Sequence, residues 1–170
     1  MINSSLCYIK RGGDYLLLNR AYRYKNRGRE GKDDGLPEID PNYGKWIGFG
    51  GKFKEGESPE DCVLREVFEE TGLTLTSYRY RGIVTFVSDV CETEYMHLFD
   101  ADGFTGELRR TDEGITAWIG SDVFRTLPQW EGDRIFLDLL SRDVPFFSLK
   151  LRYAGERLEE AVLNGDKLDF

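Results

Sequence analysis

Runs of apolar and polar residues divide the first 20 residues into two predicted strands. The strands lie between Leu6 and Arg20, and the turn Gly12-Gly13-Asp14 joins them. The second strand contains Tyr15-Leu16-Leu17-Leu18, a continuous apolar run that is typical of a strand buried on both faces. From Ala21 to Tyr43 this periodicity is lost, and basic residues give way to acidic ones among glycine and proline. We interpret this stretch as a long loop inserted into one domain, either functional or simply solvated.

A helix is predicted to begin after Ser58. Ser58 suits the N-cap, Pro59 suits the first turn, and Asp61 completes a pattern that resembles a capping box. Gly72 is a natural C-terminal stop for this helix. The segment before it, from Trp46 to Lys52, is typical of a glycine-rich strand end.

The second half of the chain alternates irregularly between strand and helix patterns. Strands are predicted over Arg79 to Val87, Glu94 to Phe99 and Ile115 to Ile119, and helices over Ser121 to Phe124 and Glu131 to Leu140. A C-terminal hairpin is predicted from Phe146 to Tyr153 and Leu158 to Leu163 through Ala154-Gly155, with a helix as the alternative for its second arm. This order predicts an α/β fold with a mixed sheet flanked by helices.

Composition and charge limit the classes of function. The 170 residues fit one domain, and a hydrophobic fraction of 40% is ample for a core. The net charge of -8 argues against a duplex nucleic-acid partner, although a divalent cation would still allow a small anionic substrate. We expect no membrane span, because no run of 18 apolar residues occurs, and we expect no signal peptide. An odd, scattered set of three cysteines (Cys7, Cys62 and Cys91) favours a reducing cytoplasm.

Three glutamates share one arc of the predicted helix. Glu66 lies three residues before Glu69 and four before Glu70, so their carboxylates converge and repel one another. The opposite arc is apolar and consists of Val63, Leu64, Val67, Phe68 and Thr71. The acidic arc is either a solvated face or a site for a hard divalent cation. Two features favour the cation site, namely the glycine-rich turn Gly48 to Gly51 and Arg65, which can hold Glu57 or Glu69 in a bidentate contact.

The segment from Gly51 to Leu73 resembles the Nudix box. Its pattern is Gly51, five residues, Glu57, seven residues, and then Arg65-Glu66-Val67-Phe68-Glu69-Glu70-Thr71-Gly72-Leu73. Chance agreement with this pattern is on the order of 10⁻⁹ per starting position. The resemblance implies one α/β/α sandwich with a mixed central sheet across residues 1–170. It also implies hydrolysis of a nucleoside diphosphate linked to another moiety, with Mg²⁺ or Mn²⁺ as cofactor.

The resemblance assigns roles to the residues of the box. Glu66 and Glu70 are the expected metal ligands, with Glu69 as a further ligand or one that acts through water. A carbonyl at Gly50 or Gly51 is expected to complete the shell. The two remaining residues, Glu57 and Arg65, are expected to orient the helix and its carboxylates.

Segments outside the box resemble the oxidised-purine nucleoside triphosphatases, the 8-oxo-dGTP diphosphatase group. They are WIGFGGKF before the box, and DEGITAW and LPQWEGDRIFLDLL after it. This similarity implies that Glu113 is an extra carboxylate that acts as metal ligand or base. The implied substrate contacts are Trp130 on the purine face, Asp133 on the purine edge, Phe86 in the pocket wall, and Lys52 and Phe49.

Simpler interpretations of these outer residues remain open. Glu113 could be a loop carboxylate, Trp130 a packing residue and Asp133 a first-turn acid that favours the helix dipole. Ile47 stands where the group has a base-contacting Asn, and Gly132 replaces an Asp, which puts strict 8-oxoguanine selectivity in question.

The substrate also has alternatives. ADP-ribose, a dinucleoside polyphosphate or a nucleotide sugar would suit the same box, and a catalytically silent nucleotide-binding regulator is the rival outside the enzymes. The intact box carboxylates argue against the regulator. The predicted partner is therefore a small nucleotide, and the oligomeric state stays open.

Overall fold

One mixed sheet of nine strands organises residues 1–21 and 40–170, which the computed structural model describes. Residues 22–39 of the predicted insertion lie outside the described residues. In chain order the elements are β1 (Ile2–Arg11), β2 (Asp14–Asn19), β3 (Trp46–Ile47), α1 (Pro59–Thr71), β4 (Thr74–Ser88), β5 (Glu94–Thr105), β6 (Ile115–Gly120), α2 (Ser121–Phe124), α3 (Glu131–Ser141), β7 (Phe147–Ala154), β8 (Arg157–Leu163) and β9 (Asp166–Lys167).

The strand order is β3-β2-β1-β5-β4-β7-β8-β9, and β6 pairs with β2. β1 runs parallel to β5 and β4 runs parallel to β7, while the other pairs are antiparallel. The mixed sheet predicted from the irregular alternation of elements is therefore confirmed.

Each face of the sheet carries its own apolar core. Because successive side chains of a strand point to opposite faces, Tyr8 of β1 joins one core while Cys7 and Ile9 join the other. The Tyr8 core packs beneath α2 and α3 through Phe124 and Phe136. The other core packs beneath α1. These two layers of helix around one sheet confirm the α/β/α sandwich.

Local signals set both ends of α1 as predicted. Ser58 and Asp61 form a complete capping box, and Pro59 is the first residue of the helix. Gly72 caps the C-terminus with φ of 79°, a left-handed conformation that favours glycine. The apolar arc differs from expectation at Phe68, which is exposed and lies beneath the guanidinium of Arg109.

Several predicted elements have other lengths. β4 and β5 extend well beyond the predicted ranges because they pair along almost their whole length, with bulges in β4. The C-terminal hairpin is confirmed by the pairs Tyr153–Leu158 and Ala154–Arg157, and the helical alternative for its second arm is wrong. The three cysteines are free. Among the described residues, no helix has the length and apolar character needed to cross a bilayer.

Candidate active site

The glycine-rich turn lies directly against α1 and β1. The Gly50 amide donates a hydrogen bond of 2.9 Å to Oε2 of Glu70. A Cβ atom on Gly51 would lie 2.5 Å from the carboxyl carbon of Glu66, and one on Gly50 would overlap the Ser5 carbonyl oxygen. Gly50 is therefore needed for the turn to lie this close to β1, whereas a side chain at Gly51 would displace the Glu66 carboxyl group.

Arg65 holds the carboxylates of the box in place. Its Nε and Nη2 donate to the two oxygens of Glu57 at 2.5 and 2.8 Å. Its Nη1 donates to Glu66 at 2.5 Å and to Glu69 at 3.2 Å. The hydrogen bonds from Arg65 are the main reason that the pKa of Glu57 falls to about 2. The bidentate contact predicted for Arg65 is thus made with Glu57.

Glu70 is the buried carboxyl group of the site, with 8% of its surface exposed. Burial raises the pKa of Glu70 well above its usual range, and the adjacent carboxyl of Glu113 raises it further. Burial likewise raises the pKa of Glu66. Glu69 is exposed and lies 3.6 Å from the ammonium of Lys54. The site therefore brings together three carboxyl groups that repel one another and are partly shielded from water, those of Glu66, Glu70 and Glu113.

This repulsion fits a bound cation. A buried carboxyl that faces two others is stable either as the protonated acid or beside a positive charge, and a divalent ion takes carboxylate oxygens readily. In the described part of the chain, no three Asp, Glu, His or Cys side chains already form a closed metal-binding group. Binding an ion at this site therefore requires some rearrangement of the described side chains.

The backbone favours Gly50 over Gly51 as a carbonyl ligand. The Gly51 carbonyl oxygen accepts a hydrogen bond from the Ser5 amide at 2.9 Å and another from the Cys62 thiol at 3.3 Å. Both of its acceptor directions are thus taken, which speaks against the predicted role of Gly51 as a metal ligand. The turn leaves the neighbouring carbonyl, that of Gly50, as the candidate.

Trp130 stands immediately before α3 in an aromatic group. Its ring centre lies 5.8 Å from Phe86 and 5.2 Å from Tyr153, both at steep interplanar angles. The ammonium of Lys45 lies 4.4 Å from the Trp130 ring centre, and Nε1 of Trp130 donates to Oδ1 of Asn42 at 2.7 Å. The structure thus brings Trp130 and Phe86 together as predicted, and Trp130 also packs against its neighbours.

Asp133 is a buried acid in the first turn of α3. It is 7% exposed, and burial raises its pKa to about 8 although Lys45 acts in the opposite direction. The first-turn position of the simpler interpretation is therefore observed, and the carboxyl group is in addition shielded from water. Gly132 beside it has no room for a side chain, because a Cβ would lie 2.5 Å from Leu151. The Gly132 amide donates to the Tyr153 hydroxyl at 2.7 Å.

The structure places two predicted substrate contacts differently, with Phe49 in the core and Lys52 on the surface. Phe49 is fully buried in the core beneath α1, so its prediction as a substrate contact is wrong. It sits there because it pairs with Cys7 of β1 and directs its ring between sheet and helix. Lys52 is exposed at the end of the glycine-rich turn. Ile47, at the position of the missing Asn, packs against the same core as Phe49.

Sequence reasoning missed Arg20 and Asp40. The Arg20 guanidinium donates from Nε to Asp40 at 2.7 Å and from Nη1 to Glu113. Asp40 belongs to the stretch interpreted as a loop, yet its side chain is only 3% exposed. A basic and an acidic residue 20 positions apart carry no local pattern, so no signal in the sequence could have paired them.

Comparison with known proteins identifies relatives of this chain. The family model of the NUDIX domain matches residues 5–140. An oxidized purine nucleoside triphosphate hydrolase from Danio rerio is 37% identical over 99 residues, which are 57% of this chain and 63% of that protein. An uncharacterized Nudix hydrolase, YvcI, from Bacillus subtilis is 35% identical over 107 residues, 60% of this chain and 68% of that protein. The match with the zebrafish protein thus spans less than two thirds of its length.

The solved structures extend the likeness of fold to nearly the whole chain. A mutator MutT protein from Bacillus halodurans superposes with a TM-score of 0.76, covering 96% of this chain and 98% of that one. Its sequence is 23% identical.

Proposed function

This chain belongs to the Nudix hydrolase family, and on that premise we propose that it converts a purine nucleoside triphosphate to the monophosphate and pyrophosphate with Mg²⁺. An oxidised, 8-oxo-dGTP-like purine is the proposed base. The observation that carries this proposal is the buried Glu70, which faces Glu113 beside a glycine-rich turn. Such a group of repelling carboxyls is suited to an ion that binds a polyphosphate chain.

The box residues divide into ligands and supports. Glu66 and Glu70 would hold the cation, with Glu69 as a further ligand or one that acts through water. Glu57 and Arg65 support them, since Arg65 contacts Glu66 and Glu69 while it is anchored on Glu57. When bound, Mg²⁺ neutralises charge on the phosphates and lowers the pKa of a water ligand.

Glu113 is the proposed ligand or general base outside the box. Its carboxylate lies close enough to Glu70 to raise the pKa of that group. A carboxylate near the attacking water can accept its proton. Because Arg20 also contacts Glu113, the side chain is held toward the site rather than free in a loop.

The base is proposed to bind between the aromatic group and Asp133. Trp130 and Phe86 offer flat apolar surface for a purine. Because the pKa of Asp133 is about 8, this group is mostly protonated at neutral pH. A carboxylic acid both donates and accepts hydrogen bonds, which suits a purine edge that carries an N–H beside a carbonyl oxygen. The Danio rerio relative is named for oxidized purine nucleoside triphosphates, which supports this substrate class.

A panel of nucleotides with Mg²⁺, assayed separately for phosphate and pyrophosphate, tests the proposal. We expect pyrophosphate from dGTP or 8-oxo-dGTP. Release of AMP from ADP-ribose without turnover of the triphosphates would instead support the alternative Nudix substrate class. Binding of nucleotide without turnover of any compound would support the silent regulator.

Three free cysteines agree with a proposed cytoplasmic location.

A further inference from the structure

A tight turn at residues 40–45, here called the 40–45 turn, lies between the predicted base pocket and the carboxylates. Its backbone is closed by hydrogen bonds from the Tyr43 amide to Asp40 and from the Lys45 amide to Asn42. The Gly44 amide donates to the Arg20 carbonyl at 2.8 Å, and the Arg20 amide donates to the Lys45 carbonyl at 3.1 Å. The turn is therefore fixed to the end of β2.

Asp40 is the buried support of this turn. One carboxylate oxygen accepts from Nε and Nη2 of Arg20 at 2.7 and 2.6 Å. The other accepts from the Asn42 backbone amide at 2.9 Å. With 3% of the side chain exposed, this carboxylate is well shielded from water, so its contacts with Arg20 are weakly screened.

Asp40 is linked to two parts of the proposed site, to Trp130 through Asn42 and to Glu113 through Arg20. Through Asn42, whose side-chain oxygen accepts from Nε1 of Trp130 at 2.7 Å, the turn holds the indole ring. Through Nη1 of Arg20, the same support holds the carboxylate of Glu113. One buried carboxylate thus fixes both a proposed base-stacking residue and a proposed metal ligand.

We propose that Asp40 and Arg20 are positioning residues that couple the base-stacking Trp130 to Glu113. This inference rests on the proposed function of the site. Asp40 takes two of the Arg20 N–H groups and offsets its charge, so Glu113 is held by Arg20 without being fully neutralised. Glu113 then keeps negative charge for a cation, while Asn42 keeps the indole ring in place.

Asp40→Asn separates this coupling from a merely structural role. An asparagine cannot satisfy both Arg20 and the Asn42 amide as acceptor, and it leaves the full charge of Arg20 facing Glu113. We expect Mn²⁺ to bind about fivefold to tenfold more weakly, an effect the size of one ordinary hydrogen bond. In an NMR spectrum, the indole N–H resonance of Trp130 should shift. Electron paramagnetic resonance of free Mn²⁺ measures the affinity without turnover.

Three further variants make the test specific. Asn42→Ala should shift the Trp130 indole resonance and raise the nucleotide KM about fivefold, as loss of one hydrogen bond allows, and leave Mn²⁺ affinity unchanged. Adding Arg20→Gln to Asp40→Asn removes the uncompensated charge but also the contact that holds Glu113, so Mn²⁺ affinity should recover only in part. Arg157→Gln, which changes an exposed pair with Glu159, is the matched control and should alter none of these values.

The outcomes are separable from those of the proposed function. If the original protein turns over no nucleotide, the proposed substrate is wrong, while the Mn²⁺ and NMR measurements still test the coupling. Unchanged Mn²⁺ affinity in Asp40→Asn would overturn the inference, and so would a double variant that binds Mn²⁺ as tightly as the original protein. A Trp130 indole resonance that does not move in Asp40→Asn would overturn it as well.

Discussion

Oε2 of Glu70 accepts a hydrogen bond of 2.9 Å from the backbone amide of Gly50. The bond joins the acidic face of α1 to the glycine-rich turn that precedes it in the chain. A backbone donor favours the charged form of the carboxylate, whereas burial and Glu113 favour the neutral form, and on balance the pKa of Glu70 is raised. A divalent cation would oppose this rise, because it favours the charged form.

Glu70→Gln should therefore abolish most turnover while the fold persists. We expect kcat to fall at least 100-fold, because the amide cannot supply the lost charge to the cation. Thermal stability without metal should be unchanged or higher, since a buried acid beside Glu113 is replaced by a neutral group. Steady-state kinetics with Mg²⁺ and a melting curve measure both. Glu60→Gln, an exposed change at the start of α1, is the control and should keep full activity. Normal turnover in Glu70→Gln would refute the metal assignment.

Arg65→Lys should lower activity by impairing the support of the carboxylates. A lysine ammonium cannot donate in a bidentate manner to Glu57 and also reach Glu66. We expect kcat to fall about tenfold, an effect typical of lost support for metal ligands, with a higher Mg²⁺ requirement. Arg142→Lys alters an exposed pair with Asp138 and is the matched control. Equal Mg²⁺ requirements in both variants would contradict the supporting role of Arg65.

Trp130→Phe should weaken nucleotide binding with little loss of stability. Phenylalanine keeps much of the packing against Phe86 and Tyr153 but loses stacking area and the N–H that contacts Asn42. We expect the KM for a purine triphosphate to rise about fivefold, roughly the value of one lost hydrogen bond. Kinetics and melting temperature separate the two roles. A large drop in melting temperature with unchanged KM would show that Trp130 only packs.

Asp133 should make the stability of the metal-free protein depend on pH. Its pKa is about 8 when folded, above its value of about 4 in an unfolded chain. Protonation therefore stabilises the fold fully below about pH 4, and this contribution is lost as the pH rises to about 8. The slope is at most about 1.4 kcal/mol per pH unit. Asp133→Asn should flatten the curve of unfolding free energy between pH 5 and 8. An unaltered curve would mean that Asp133 is ionised in the folded protein.

Local signals explain how much of α1 could be predicted. Ser58, Pro59 and Gly72 act through the backbone within one turn of their own position, so their effects can be recognised from the sequence alone. The spacing of Glu66 and Glu70 likewise places both on one side of the helix. The prediction for Phe68 was wrong because a helical period gives a direction but not what covers a side chain, and Phe68 is exposed beside Arg109.

Local sequence patterns did not predict the surroundings of the residues around the proposed base pocket. Phe49 was expected to contact substrate because it lies within a matching motif, but its pairing with Cys7 directs the ring into the core. Gly132 is explained only by Leu151 and Tyr153 of a distant strand, which leave no room for an acid. Neighbours from other parts of the chain decide both cases.

By itself, the sequence determined the helix with its caps, the acidic face and the mixed α/β architecture, since these follow from residue types at short, regular spacing. Only the tertiary structure decided that Glu70 is buried against Gly50 and Glu113, that Asp133 is shielded from water, and that Arg20 and Asp40 join the site. The reason is physical, because burial and charge pairing depend on which distant segments the sheet brings together, and no local pattern records that.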